Sequence, residues 1–215
     1  MGMRKRTASL VVATSFVAFA FSTPAPAATA YTNLASFLGA LTNSYTENFG
    51  GITNTSNGVT AAPENFSGNG MSFSASPQPA SDELWIVVNG GTKWLSVRDS
   101  SNSLVFNLTS GNITAVGGNF FTTDLPGNFI EGSIDILFSD STSTNWAPSS
   151  ASDFIGFVFD TPVTSMTLSP VASEQWVTAG SITIGQVPEP STMALLFMTC
   201  AGALWWARRR LGSKQ

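Results

Sequence analysis

The chain lacks histidine entirely and has one cysteine among its 215 residues. The missing histidine excludes Ser-His-Asp and Cys-His catalysis, the HExxH zinc proteases and nearly every ordinary zinc or copper site. The cysteine, Cys200, lies in an apolar run near the C-terminus, so the interior of the chain cannot form a disulfide. A folded domain between the two ends must therefore rely on its hydrophobic core for stability.

Positive charge is scarce in the interior of the chain. Of the nine basic residues, only Lys93 and Arg98 lie between Glu47 and Glu189, the stretch that contains all thirteen acids. A product trimmed at both ends, with thirteen acids and two bases, would carry a net charge of about −11. Nucleic acids are recognised through clusters of Lys and Arg. We therefore expect no nucleic-acid partner.

The N-terminus has the three parts of a secretory signal peptide, which we assign to residues 1–30. Arg4–Arg6 supply the basic start, an apolar run follows from about Leu10 to Phe21, and small residues extend from Pro24 to Ala30. The apolar run of ~12 residues is shorter than the ~20 that a membrane-spanning helix needs. The pattern therefore predicts a leader that is removed during export.

The small-residue stretch contains two sites that a signal peptidase could cut. Ala28 and Ala30 form an A-x-A pattern and predict cleavage before Tyr31, which would then begin the mature protein. Ala25-Pro26-Ala27 forms a second A-x-A pattern and is a competing site. The two alternatives differ by three residues at the start of the domain.

A second hydrophobic segment, from Thr192 to Ala207, lies near the C-terminus between Pro188-Glu189-Pro190 and Arg208-Arg209-Arg210. As a helix, ~16 residues would rise about 24 Å, which is just enough to span a bilayer. Arginines that follow a membrane helix stay in the cytoplasm, so the domain would lie outside. Prolines favour extended structure, so the Pro-Glu-Pro triplet suits a protease that binds extended substrates.

The order of a Pro-Glu-Pro triplet, a short hydrophobic helix and a terminal arginine cluster resembles a PEP-CTERM sorting tail over residues 187–215. The resemblance implies an exosortase that recognises the triplet and cleaves near it, while the arginines act as a stop and orientation signal. It also implies a Gram-negative bacterium that makes exopolysaccharide and biofilm material. The domain would be held in the periplasm by a transient inner-membrane anchor, and would then reach the cell surface or the extracellular space. A permanent anchor that is never cut is the alternative.

Residues 31–186 are predicted to form an all-β domain, an antiparallel two-sheet sandwich or jelly roll. About ten short apolar-alternating runs in a Ser-, Thr-, Asn- and Gly-rich stretch are separated by turn signals. These runs are 71–75, 84–88, 93–97, 104–108, 112–116, 118–122, 129–138, 154–159, 165–168 and 181–184. Gly117–Asn119 is predicted as a turn, and Asn33–Leu41 as one amphipathic helix at a sheet edge. The alternating residues Ile134, Ile136 and Phe138 are predicted to face the core.

Two runs, Gly117–Asp124 and Ser152–Phe157, are similar to parts of exported domains that resemble carbohydrate-binding jelly rolls. Aromatic faces stack on sugar rings in glycan binding, so an exposed pair of tryptophans would suit this function. Trp146 and Trp176 lie in loop-like contexts and are candidate glycan contacts. Trp85 and Trp94 lie in apolar strands and are predicted to be buried.

A structural calcium is the one ion that the interior of the chain could hold well, because calcium takes oxygen ligands. Carbohydrate-binding jelly rolls often hold it between an acid in an early strand and one in a late strand. Glu47 fits the early position, but the late position, Thr178–Gly180, contains no acid. Glu47 is therefore a candidate calcium ligand without its usual partner, and no other cofactor is expected.

Five carboxylates are candidates for hydrolysis of a glycosidic bond, which needs an acid and a base about 5–9.5 Å apart. They are Asp82, Glu83, Asp124, Glu131 and Asp135. Most lie at strand ends or outward positions, so we interpret them as solvated. The leading hypothesis is a non-enzymatic surface or extracellular-matrix protein that stays near exopolysaccharide. A carboxylate-based glycan-active enzyme and a scaffold that self-assembles through sheet edges are the alternatives.

Overall fold

The computed structural model describes residues 28–53 and 58–188. Within these ranges the chain forms fifteen strands and one short helix. The elements are β1 (Thr29–Tyr31), α1 (Leu34–Gly39), β2 (Asn43–Glu47), β3 (Val59–Thr60), β4 (Glu64–Gly68), β5 (Met71–Gln78), β6 (Leu84–Asn89), β7 (Thr92–Val97), β8 (Ser103–Leu108), β9 (Ala115–Thr123), β10 (Phe129–Ile130), β11 (Ile134–Phe138), β12 (Ser143–Trp146), β13 (Ile155–Val158), β14 (Ser165–Pro170) and β15 (Trp176–Gln186).

The strands form two antiparallel sheets. The larger sheet has nine strands in the order β1-β13-β9-β15-β7-β6-β3, with β10 added to β9 and β2 added to β15. The smaller sheet has six strands in the order β12-β11-β14-β8-β5-β4. The prediction of an all-β domain with two antiparallel sheets is confirmed. The predicted signal peptide lies almost entirely outside the described residues, and the predicted C-terminal helix lies wholly outside them.

One hydrophobic core is built from both sheets. Phe120 and Ile182 of the larger sheet belong to the same buried cluster as Phe73 and Phe106 of the smaller sheet. Along β11 the predicted alternation is confirmed, because Ile134, Ile136 and Phe138 are buried whereas Asp135 and Leu137 are exposed. Alternation of this kind follows from the two-residue period of a strand that has one face against a core.

The helix α1 packs on the larger sheet beside β1 and β13. Asn33 caps this helix, since its side-chain oxygen accepts a hydrogen bond from the backbone N–H of Ser36 at 2.9 Å. Phe37 is buried and packs against Phe154, with ring centroids 5.3 Å apart. The prediction of a helix in this region is confirmed, but the helix is shorter than predicted and buries little besides Phe37. Within the described ranges, no helix is long and apolar enough to cross a membrane.

The prediction of a turn at Gly117–Asn119 is wrong, because these residues lie within β9. A side chain on Gly117 would meet the backbone of Gly156 on β13, and one on Gly118 would meet the carbonyl oxygen of Ser181 on β15. These glycines therefore permit close contact between strands. The predicted run 129–138 is divided between β10 and β11, and five short strands were not predicted: β1, β2, β3, β4 and β12.

Candidate functional site

The last strand, β15, ends directly at the predicted sorting motif. The carbonyl oxygen of Gln186 accepts a hydrogen bond from the backbone N–H of Thr42 at 2.8 Å. The backbone N–H of Val187 donates to the side-chain hydroxyl of Thr114 at 3.0 Å. Pro188 then lines a cavity of about 440 Å³ together with Gln186 and Val187. The fold therefore holds the chain up to Val187, and Glu189, Pro190, the segment 192–207 and Arg208–Arg210 lie outside the described residues.

The first strand, β1, contains the predicted signal-peptidase site. Thr29, Ala30 and Tyr31 pair in antiparallel register with Val158, Phe157 and Gly156 of β13. Ala28 is partly buried and packs against the main core. The residues that would precede a cut at Tyr31 therefore belong to the larger sheet.

Both ends of the domain leave the larger sheet at the same side. Thr29 lies opposite Val158, Val158 lies opposite Ala115, and Ala115 lies opposite Gly185. The four residues form a row across four neighbouring strands, and three strand spacings correspond to about 14 Å. The chain therefore enters β1 and leaves β15 close together.

The two candidate tryptophans lie in strands, not in the loops expected from the sequence. Trp146 ends β12 and is half-buried, and its indole N–H donates to the carbonyl oxygen of Phe120 at 2.9 Å. Trp176 begins β15 and is also half-buried, with its indole N–H donating to the carbonyl oxygen of Arg98 at 3.1 Å. They line different cavities, so the structure does not bring them together. Trp85 and Trp94 are also half-buried, so the prediction that they are buried is met only in part.

Trp146 lies beside polar groups that sequence reasoning did not connect with it. It lines a cavity of about 410 Å³ with Asn33, Ser152 and Asp153. The carboxylate of Asp153 accepts hydrogen bonds from the hydroxyl and the backbone N–H of Ser149, and these bonds lower the pKa of Asp153 below its usual range. The cavity thus combines an aromatic ring with a charged acceptor. Ser152 and Asp153 follow Trp146 by six and seven residues, whereas Asn33 comes from a distant segment that only the fold brings to the cavity.

Glu47, the candidate calcium ligand, is engaged by residues next to it in sequence. One carboxylate oxygen accepts from the Tyr45 hydroxyl at 2.5 Å, and the other accepts from the backbone N–H of Phe49 at 2.7 Å. Burial and the hydrogen bond to Glu47 raise the pKa of Tyr45 far above its ordinary value. Opposite Glu47 on β15 stands the buried Ile182.

Glu47 also lines a cavity of about 370 Å³, which it shares with Tyr45 and Glu64. Sequence reasoning did not associate Glu64 with Glu47, because β4 was not predicted as a strand. Glu64 accepts a hydrogen bond from the hydroxyl of Thr60. Among the described residues, no group of three or more acidic, histidine or cysteine side chains is placed to hold a metal ion.

The candidate catalytic carboxylates mostly serve local contacts. Asp82 accepts from the Asn102 amide, Glu83 pairs with Arg98, and Asp135 accepts from the Asn145 amide. The side chain of Asp124 accepts from the side chain and the backbone N–H of Asn128, and these bonds lower the pKa of Asp124. Glu131 is exposed on the loop between β10 and β11. A general acid needs a raised pKa, so the direction of the shift at Asp124 does not suit that role.

The C-terminal segment matches a known family model. Residues 186–210 match the PEP-CTERM protein-sorting motif, which here extends from the last residue of β15 through the Pro-Glu-Pro triplet to Arg210. The motif marks the chain as an exported protein that an exosortase targets for sorting to the cell surface. Comparison with curated proteins found no match.

Proposed function

We propose that the protein is a non-catalytic component of the cell surface or extracellular matrix. A signal peptide exports it, the C-terminal segment holds it briefly in the inner membrane, and an exosortase releases it near Pro188–Pro190. The released domain then stays with exopolysaccharide. The observation that best supports this proposal is that the matched sorting motif begins at the last residue of β15, where the described fold ends.

The positions of the start of β1 and the end of β15 support a membrane-tethered precursor. The chain enters β1 and leaves β15 on the same side of the larger sheet, about 14 Å apart. Two hydrophobic segments at the chain ends can therefore reach one membrane without distorting the sheet. Only a few residues separate Pro188 from the apolar segment at Thr192, and an extended residue spans at most ~3.6 Å. This side of the domain would face the bilayer.

Release at the sorting motif would leave the fold intact. All fifteen described strands precede Pro188, and the hydrogen bonds that fix the end of β15 involve Gln186 and Val187. A cut after Pro188 removes none of these bonds. The sorting tail is in this proposal a removable attachment, since the described bonds that fix the end of β15 stay in place after the cut.

Association with exopolysaccharide would use the cavity beside Trp146. Its half-buried indole offers an aromatic face, and Asn33, Ser152 and Asp153 offer groups that hydrogen-bond to hydroxyls. Trp176 would contribute a separate contact at the start of β15. Because that residue is ten positions before Gln186, it lies about 33 Å along the strand from the side that faces the bilayer.

The test is co-sedimentation of the released protein with exopolysaccharide from its own host, combined with an assay for shortened glycans. We expect binding without glycan cleavage, and weaker binding by Trp146→Ala. Val88→Ala, which changes an exposed residue that is 66% accessible on β6, should bind as wild type. The Tm of each variant shows that it remains folded. Glycan cleavage that is lost on substitution of one of the five candidate carboxylates, or of Glu47 or Glu64, which share a cavity, would instead support an enzyme. Assembly without glycan would support a scaffold.

A further inference from the structure

The N-terminal boundary of the domain can be read from the pairing of β1. Thr29 and Ala30 supply two of its three residues, and both are paired with β13. Ala28, immediately before them, packs against the core. A cut before Tyr31 would remove all three residues and leave Tyr31 alone on the edge of the sheet.

Loss of these residues would also change the exposed edge of the larger sheet. β13 would lose its neighbour opposite Phe157 and Val158, and its backbone groups would be open to water or to another chain. The new N-terminal ammonium group would lie on Tyr31, whose ring packs against Phe37 at a centroid distance of 5.9 Å. A cut three residues earlier avoids both effects.

We infer that signal peptidase cuts between Ala27 and Ala28, so that the mature protein begins with the complete β1. This inference rests on the proposed export of the chain by a cleaved leader. Ala25 and Ala27 supply the small residues that the enzyme needs at the third and first positions before the cut. Water is added across the Ala27–Ala28 peptide bond, so that Ala27 keeps the carboxyl group and Ala28 gains the free amino group.

The direct test is N-terminal sequencing and intact mass of the wild-type protein recovered from its native host. A mature N-terminus at Ala28 supports the inference. An N-terminus at Tyr31 overturns it while leaving export intact. A chain that still begins with residues 1–27 overturns both the inference and the proposed export by a cleaved leader.

Two matched substitutions separate the two sites. Ala27→Leu places a bulky residue directly before the inferred cut, and we expect it to abolish the product that begins at Ala28. Ala30→Leu places a bulky residue directly before the alternative cut at Tyr31. Ala30 is exposed on β1, so this variant should fold and retain the N-terminus at Ala28. The opposite pattern, with cleavage blocked only by Ala30→Leu, overturns the inference.

Stability gives an independent readout if Ala27→Leu diverts the cut to Tyr31. The shortened product should then unfold at a lower temperature than wild type, by roughly 2–8 °C, because it lacks two paired residues and a core contact. An unchanged Tm would mean that residues 28–30 add nothing to the domain, which contradicts the reason for the inferred site.

Discussion

At the scale of single residues, Glu47 shows how the fold gives a side chain a role that its sequence context does not reveal. Its carboxylate accepts from the N–H of Phe49, a buried residue with a φ of 61°, in the left-handed region that side chains rarely adopt. Glu47, the last residue of β2, therefore holds the strained backbone of Phe49 just after the strand. The sequence suggested a metal ligand because an acid in an early strand fits that pattern. The hydrogen bond to Phe49 depends on a backbone angle that the sequence does not specify.

The Tyr45–Glu47 pair predicts a pH-dependent effect of Tyr45→Phe. The raised pKa of Tyr45 means that the fold favours the protonated hydroxyl, whose ordinary pKa is 10.0. Its stabilisation is complete below pH 10 and is lost as the pH rises above that value. We expect Tyr45→Phe to lower the free energy of unfolding by about 1 kcal/mol at neutral pH. The difference from wild type should shrink above pH 10, as measured by denaturant titration.

Tyr31→Phe is the matched control, because Tyr31 is the other tyrosine of the chain. Its ring packs edge-on against Phe37, a contact that phenylalanine would keep, so we expect a change in free energy of unfolding near zero. A constant difference between wild type and Tyr45→Phe across pH 8–12 would contradict the role of the Tyr45 hydroxyl.

At the scale of elements, β9 explains why the boundaries of a strand were harder to predict than its presence. The alternating pattern of β11 is visible in the sequence because one face meets the core and the other meets water. β9 is buried along nearly all of its length, and its Gly117-Gly118 pair resembles a turn signal. Whether two glycines form a turn or a close contact between strands depends on distant residues such as Gly156 and Ser181.

Gly118→Ala tests this interpretation of β9. The added methyl group would overlap the carbonyl oxygen of Ser181 and the ring of Phe120. We expect a loss of about 2–3 kcal/mol in the free energy of unfolding, measured by denaturant titration. Gly111→Ala is the control, because a methyl group there meets no atom within 4 Å and should cost close to nothing. Equal stability of the two variants would show that β9 is not packed as described.

At the scale of the whole molecule, some features could be predicted from the sequence and others could not. An all-β domain and a sorting tail follow from local patterns, and the structure and the family match agree with them. The cavity beside Trp146 could not be predicted, because Asn33 is far from Trp146 in sequence and the loop after β12 must fold back to place Asp153 beside the ring. The proximity of the start of β1 and the end of β15 likewise depends on the order of strands, which local patterns do not specify.

The central claim is release of an intact domain at the sorting motif, and peptide mapping of the C-terminus in the native host tests it most directly. We expect wild-type protein and the control Glu131→Gln, at an exposed acid, to end between Pro188 and Pro190. Glu189→Gln should remain uncut in the membrane fraction, because it changes the centre of the sorting triplet. A wild-type product that still carries Trp205 to Gln215 would contradict release and indicate a permanent anchor.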